Sequence, residues 1–109
     1  MARIVITQRN DLLILVTVRN ENGGPEDLSG SSLYFRTGRG KIAKSIGNGI
    51  TVTDAKGGAA EILLTHEDLD LPMGEYGYEL LYVDVDGHRY TVLKGVLDVQ
   101  PSLMPLEVS

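Results

Sequence analysis

Residues 76–83 read YGYELLYV and residues 89–99 read RYTVLKGVLDV. Apolar and polar residues alternate along both runs, which is typical of strands with one buried face. Between the runs stands Asp86-Gly87, a pair that tolerates the positive φ angles of a two-residue type I′ turn. The segment is therefore predicted to form a long antiparallel hairpin closed by this turn.

Counting outward from the turn predicts which residues of the hairpin face each other. Glu79 is placed opposite Lys94, an opposite-charge pair that favours this register. Gly95 is placed opposite Tyr78, where the missing side chain leaves room for the phenol ring to lie across the backbone. The further predicted pairs are Tyr82 with Thr91, Leu80 with Leu93, and Tyr76 with Leu97.

The composition limits the class of protein. A chain of 109 residues is expected to form a single domain that can bury one core. It has no cysteine, which excludes disulfides and thiolate metal sites, and its net charge of −5 disfavours nucleic-acid binding. The apolar run at 12–16 is too short to cross a membrane, and the N-terminal residues lead directly into a strand, so we expect a soluble intracellular product.

Short alternating runs separated by turn-forming residues continue through the rest of the chain. Residues 42–46 are expected to form a short edge strand, kept soluble by Lys41 and Lys44. Thr65 and Asp68 predict one capped helical turn between two strands. Together these features predict an all-β antiparallel β-sandwich of seven or eight strands over residues 1–100, followed by an extended tail at 101–109. The other predicted strands cover 3–7, 12–18, part of 28–37, 49–53 and 59–64.

The outward face of the predicted hairpin is too apolar for a surface that stays in water. We expect this face to pack against another copy of the chain or another protein. The alternative is that loops, or the tail around Leu103, Met104 and Leu106, fold over it. The residues of this predicted interface are Leu81, Val83, Tyr90, Val92 and Val96.

Two groups of acidic and histidine residues have the ligand types of a metal site. His66, Glu67, Asp68 and Asp70 are crowded, yet four residues on one helical turn do not converge on a point, and a capped turn explains them. The group at 84–88 (DVDGH) lacks the spacing of a calcium loop and is explained by the hairpin turn. We therefore predict neither a metal site nor a cofactor.

Catalytic and phosphate-binding patterns are also incomplete. The stretch GRGK at 38–41 lacks the first glycine, the hydroxyl residue and the helix of a phosphate loop. A nucleophilic site needs a serine or cysteine beside an oriented base, and no such pattern is present. A small enzyme would need a pocket joining His66 or His88 to a carboxylate, so the prediction is a protein without enzymatic activity.

Tyr76 and Tyr78 follow a turn at the start of a long strand, as the tyrosine corner of immunoglobulin-like sandwiches does. From Asp27 to Val99 the chain contains, in this order, DLSGS at 27–31, LYF at 33–35, GITVTD at 49–54, GAAEILL at 58–64, THED at 65–68, LPMGEY at 71–76, VDVDG at 83–87 and VLKGVL at 92–97. The order of these segments resembles small immunoglobulin-like modules of phage and prophage tail and baseplate proteins, and is similar to the N-terminal domain of siphophage upper baseplate proteins.

The resemblance implies an immunoglobulin-like fold and a virion structural protein that assembles in several copies with other phage structural proteins. Such a protein is made in the cytoplasm of the host bacterium and is then incorporated into the virion. An immunoglobulin-like binding module of a bacterial surface or secreted protein fits the same fold and is the alternative. Neither alternative involves nucleic acid or a membrane-spanning segment.

Overall fold

The computed structural model describes residues 2–105, and eight strands account for most of them. None of these residues forms a helix with the length and apolar character needed to span a membrane. A single 3₁₀ turn, Gly38–Gly40, follows the third strand. The strands are β1 (Ala2–Thr7), β2 (Leu12–Thr17), β3 (Ser32–Thr37), β4 (Ala43–Ile46), β5 (Gly49–Asp54), β6 (Ala59–Leu64), β7 (Gly74–Val83) and β8 (Arg89–Gln100).

All eight strands belong to one sheet in the order β1-β8-β7-β3-β4-β5-β6-β2. The prediction of an all-β fold with seven or eight strands is confirmed. The sheet is mixed, however, because β1 pairs with β8 and β4 with β5 in parallel, whereas only antiparallel pairs were expected. The strands β1 and β2 form the two ends of the sheet, so each has one edge that no strand of the sheet pairs with.

The sheet encloses one apolar core. Along β7 the alternation is complete, with every second residue from Tyr76 to Tyr82 buried. Removing such side chains from water supplies most of the stability of a domain this size, at about 25 cal/mol per Å² of apolar surface. The largest fully buried side chains are Tyr76, Phe35, Leu33, Ile50, Ile62, Leu64, Leu69, Leu80, Leu97 and Val99.

The predicted register holds over the part of the β7–β8 hairpin far from the turn, from Tyr76 to Leu80 on β7. Glu79 pairs with Lys94, and Tyr78 pairs with Gly95, as the sequence predicts. The pairs of Leu80 with Leu93 and Tyr76 with Leu97 are also confirmed.

The predicted two-residue turn at the end of the hairpin is wrong. The amide of Asp84 donates to the carbonyl of His88 at 3.0 Å, and the amide of Gly87 donates to the carbonyl of Asp84 at 3.0 Å. These bonds close a three-residue loop, 85–87, with Gly87 at φ +85°. Such a loop combines a type I turn with a left-handed glycine, so it accommodates the same Asp-Gly pair in a different geometry.

A second departure lies between Leu80 and Leu81, where β8 contains one residue more than β7. The extra residue is Val92, and beyond this β-bulge the side chains of β8 change face relative to the predicted register. The predicted pair of Tyr82 with Thr91 is therefore wrong. The observed pairs are Leu81 with Thr91, Tyr82 with Tyr90, and Val83 with Arg89.

The tyrosine corner is confirmed by a hydrogen bond. The hydroxyl of Tyr76, which is 1% exposed, donates to the carbonyl oxygen of Pro72 at 2.7 Å. The bond fixes the chain just before it enters β7, as in immunoglobulin-like sandwiches.

The predicted cap at Thr65 is confirmed, but residues 66–69 form a hydrogen-bonded turn and not a helix. The same segment also corrects the position of β4. The amide of Thr65 donates to the Asp68 carboxylate at 2.9 Å, and the amide of Asp68 donates to the Thr65 hydroxyl at 3.2 Å. The same carboxylate forms an ion pair with the Lys44 ammonium at 2.9 Å. Since β4 lies between β3 and β5, its prediction as an edge strand is wrong, and Lys44 serves this ion pair instead.

Candidate protein-binding surfaces

The bulge divides the predicted interface between the two faces of the sheet. Leu81 and Val83 lie on the outer face, as does Val96, which alternates with the buried Gly95 and Leu97. Tyr90 pairs with Tyr82 and Val92 packs against the core, so both belong to the inner face. The prediction that all five residues share one face is wrong, because one extra residue in a strand reverses the faces of those that follow.

Polar side chains surround the outer part of the predicted interface. Leu81 and Val83 are partly buried and line a depression of about 330 Å³. Arg36 extends over the ring of Tyr34 at 5.7 Å, and both side chains contribute to the same depression together with Glu79. Val96 lines a separate depression of about 420 Å³. The outer face is therefore less apolar than the sequence alone suggests.

The tail covers this face less than the alternative requires. Leu103 is fully exposed and Met104 is 60% exposed. The tail is tied elsewhere, because the carbonyl of Met104 accepts a hydrogen bond from the Arg9 guanidinium at 2.7 Å, next to the turn between β1 and β2. The third residue of that alternative, Leu106, lies outside the described residues.

Two stacked tyrosines form a cleft at the end of the inner face. The rings of Tyr82 and Tyr90 lie 6.1 Å apart at an interplanar angle of 26°. The Tyr82 hydroxyl donates to the Glu26 carboxylate at 3.3 Å, and Asp84 lines the same cleft of about 340 Å³. Burial raises the pKa of Tyr82 to about 12, with a further contribution from the negative charge of Glu26.

The raised pKa of Tyr82 predicts how stability responds to alkaline pH. The folded protein favours the neutral phenol, so this group contributes stability below its unfolded pKa of about 10, and the contribution is lost as pH rises toward about 12. In a rapid pH-jump titration at the phenolate absorbance, the difference between wild type and Tyr82→Phe should show a midpoint near 12. Glu26→Gln should return only part of the shift, since burial is the larger cause. A wild-type midpoint at the ordinary tyrosine value would contradict this assignment.

The most exposed apolar cluster on the strands lies at the opposite end of the sheet. Leu15 and Leu13 on β2 are 72% and 51% exposed, and Leu63 on β6 is 43% exposed. Leu13 pairs directly with Leu63, so the three side chains form one surface, named here the leucine patch. The interface predicted from the sequence did not include Leu13, Leu15 or Leu63.

The backbone beside the leucine patch is also available for pairing. The amide of Val18 donates to the carbonyl oxygen of Gly58. This bond shows that the even-numbered residues of β2 direct their backbone N–H and C=O groups toward β6. In an antiparallel pair only alternate residues bond the neighbouring strand. Leu13, Leu15 and Thr17 therefore direct their N–H and C=O groups to the outer edge of the sheet, a ready template for another strand.

The two histidines lie in separate surface turns, each beside a carboxylate. Nδ1 of His66 is 2.9 Å from Asp11, and Nδ1 of His88 is 3.4 Å from Asp84. Both rings are exposed, and the described residues that line the three depressions include neither of them.

Asp84, Asp86 and His88 each place one possible ligand atom within 4.8 Å of the others. The Asp84 carboxylate already accepts hydrogen bonds from the amides of Asp86 and His88, both at 2.9 Å. These bonds, led by the amide of His88, lower the pKa of Asp84. The cluster is thus explained by the hydrogen bonds of the hairpin loop.

Comparison with known proteins adds no assignment. No model of a known protein family matches the chain, and no curated protein sequence matches it.

Proposed function

We propose that this chain is a non-enzymatic structural protein of a phage or prophage particle, and that it acts through protein–protein association. The observation that carries the proposal is the leucine patch on a strand with a free edge. Isolated exposed leucines are common on soluble proteins, but a contiguous apolar group beside unpaired backbone is typical of an interaction site.

The energetics favour an assembly of repeated copies. Burying an exposed leucine side chain fully is worth about 1.5–3 kcal/mol. Each copy offers two exposed leucines on β2 and one on β6, so a two-fold contact would bury the patch twice. A particle that repeats one part many times uses such modest contacts in closed, symmetric sets.

The immunoglobulin-like binding module of a bacterial surface or secreted protein is the second candidate. The observation that favours it is the cleft with the stacked rings of Tyr82 and Tyr90 beside Glu26. Aromatic faces next to carboxylates can bind partly apolar or cationic groups of a ligand. The two candidates differ in their gene neighbours: tail, portal or capsid genes on either side support the virion role, and a cell-wall or secretion context supports the binding module.

Association is tested by the mass of the full-length protein in solution. Sedimentation equilibrium from micromolar to millimolar concentration should show reversible self-association. Replacing Leu13 and Leu15 together by serine should raise the dissociation constant at least about 100-fold, because losing about 2.7 kcal/mol of interface energy has that effect. Both side chains are exposed, so the circular dichroism spectrum and thermal midpoint should change little.

A matched double variant addresses the interface predicted from the sequence. Leu81→Ser with Val83→Ser changes two residues of the outer face of β7 and should leave the dissociation constant within about threefold of wild type. If this double variant raised the dissociation constant more than the Leu13 and Leu15 double variant, the interface would lie on the outer face of β7, as the sequence predicted. A wild-type protein that stays monomeric throughout would contradict self-association itself.

A further inference from the structure

We propose that two copies of the chain join through the free edges of β2, antiparallel and in one register, with Leu15 of one copy opposite Leu15 of the other. The proposal rests on the proposed function and names the partner and the geometry of the contact. Its result would be a continuous sheet that runs from one copy into the next.

The backbone restricts the registers that are possible. The residues of β2 whose N–H and C=O groups point outward are the odd-numbered ones, as argued from the bond between Val18 and Gly58. Two antiparallel edges bond only when outward-facing residues stand opposite each other. A two-fold axis must therefore relate odd residues to odd residues, which leaves Leu13, Leu15, Thr17 or a point midway between neighbouring members of this set as its centre.

Charge selects among these registers. Asp11 and Arg19 lie four residues on either side of Leu15, and both are exposed; Arg19 also lines the cleft that holds Tyr82 and Tyr90. With Leu15 at the centre, Asp11 of each copy stands opposite Arg19 of the other, giving two opposite-charge pairs. An axis midway between Leu13 and Leu15 places Asp11 opposite Thr17 instead, and an axis at Leu13 places it opposite Leu15. Axes midway between Leu15 and Thr17, or at Thr17, place Asp11 opposite positions 21 or 23, so only the axis at Leu15 forms the opposite-charge pairs.

Both charged groups are held near the strand by their own copy. The Asp11 carboxylate accepts hydrogen bonds from the amide of His66 at 2.6 Å and lies 2.9 Å from its ring nitrogen. The Arg19 guanidinium donates to the carbonyl of Gly23 at 3.1 Å. A guanidinium has five N–H donors, so this bond leaves others for a carboxylate.

The leucine patch supplies the apolar part of the contact. Leu15 is the most exposed of the three at 72%, and in this register it lies opposite Leu15 of the other copy. Leu13 then lies opposite Thr17 of the other copy. Directly opposed residues in a hydrogen-bonded antiparallel pair have Cα atoms about 5.5 Å apart. That separation is suitable for a disulfide between the two positions.

Disulfide trapping tests the register directly, because the native chain has no cysteine. In the full-length protein, Leu15→Cys should form a covalent dimer under mild oxidation at least about tenfold faster than Thr17→Cys, since pairing replaces micromolar collision by millimolar effective concentration. Thr17 is equally a β2 outer-face position, but its two copies would lie about 14 Å apart. Leu13→Cys should cross-link only when mixed with Thr17→Cys.

The alternative results are distinct. Faster cross-linking of Leu13→Cys alone, or of a mixture of Leu13→Cys with Leu15→Cys, would overturn the register. Equal rates for Leu15→Cys and Thr17→Cys would overturn the β2 contact altogether. If the wild type self-associates while Leu15→Cys does not cross-link, this inference is wrong and the proposed function stands; if the wild type is monomeric as well, both are wrong.

The charge pairs have their own test. Arg19→Asp should weaken self-association about tenfold by facing Asp11 of the partner, and the double variant Arg19→Asp with Asp11→Arg should restore it. Failure of the second change to rescue the first would overturn the assigned opposition of these residues.

Discussion

Replacing Gly58 by alanine is expected to lower the free energy of unfolding by about 3–5 kcal/mol, a large part of the 5–15 kcal/mol that holds a domain together. Gly58 has a φ of +71°, which a residue with a side chain adopts only with strain. An added Cβ would also overlap the carbonyl oxygen of Val18 and come within 2.9 Å of that of Glu26. The Val18 oxygen cannot withdraw easily, because the Val18 amide donates to the Gly58 carbonyl at 2.8 Å and the Val18 carbonyl accepts from the Glu26 amide at 2.9 Å.

The measurement is urea or thermal unfolding followed by circular dichroism. At about 4–8 °C per kcal/mol for a domain of about this size, the thermal midpoint should fall by roughly 12–40 °C. Gly23→Ala is the matched control, since Gly23 has a φ of +82° but an added Cβ meets nothing within 4 Å. Gly23→Ala should therefore lower the free energy of unfolding by only about 1 kcal/mol, through backbone strain alone. Equal losses in the two variants would show that the close approach at Gly58 contributes nothing.

The pairing of the β7–β8 hairpin far from its turn could be predicted, because residues close together in the sequence determine it. The charges of Glu79 and Lys94 and the missing side chain at Gly95 specify opposed positions on adjacent strands. The loop was predicted wrongly because an Asp-Gly pair suits two geometries, and the choice depends on the Asp84 carboxylate, which accepts two backbone amides. The bulge at Val92 had no signal in the alternation, since its apolar neighbours fit either face.

The candidate interface lies on β2 and not on the β7–β8 hairpin where the sequence predicted it. The extra residue Val92 and the order of the strands account for this difference. The pattern of Leu13 and Leu15 was visible in the sequence, but it gains meaning only because β2 ends the sheet. Conversely, Lys44 suggested an edge strand, whereas its ammonium is paired with Asp68 on a segment more than twenty positions away. Which strands are edges depends on long-range pairing, and a single chain carries little local signal for it.

The parallel pairing of β1 with β8 depends on a second close approach, at Gly95. An added Cβ there would overlap the carbonyl oxygen of Ala2 and lie 2.7 Å from the hydroxyl oxygen of Tyr78. Tyr78 is 3% exposed and stacks on Phe35 at a centroid distance of 5.7 Å, so its ring has little freedom to move. The room for this phenol over Gly95, predicted from the sequence, is confirmed.

Gly95→Ala is therefore expected to destabilise the protein by about 2–4 kcal/mol and to loosen β1 from the sheet. Hydrogen exchange should show the amides of β1 losing protection before those of β2 and β6, because the overlap lies at the β1–β8 pair. Gly77→Ala, in the neighbouring strand with nothing within 4 Å of an added Cβ, should be neutral or stabilising by about 0.5 kcal/mol. If β1 kept its protection in Gly95→Ala while the global stability fell, the methyl group would be displacing Tyr78 into the core instead. Since β2 lies at the other end of the sheet, Gly95→Ala should leave self-association intact in either case, which separates the stability of the fold from the contact proposed for its free edge.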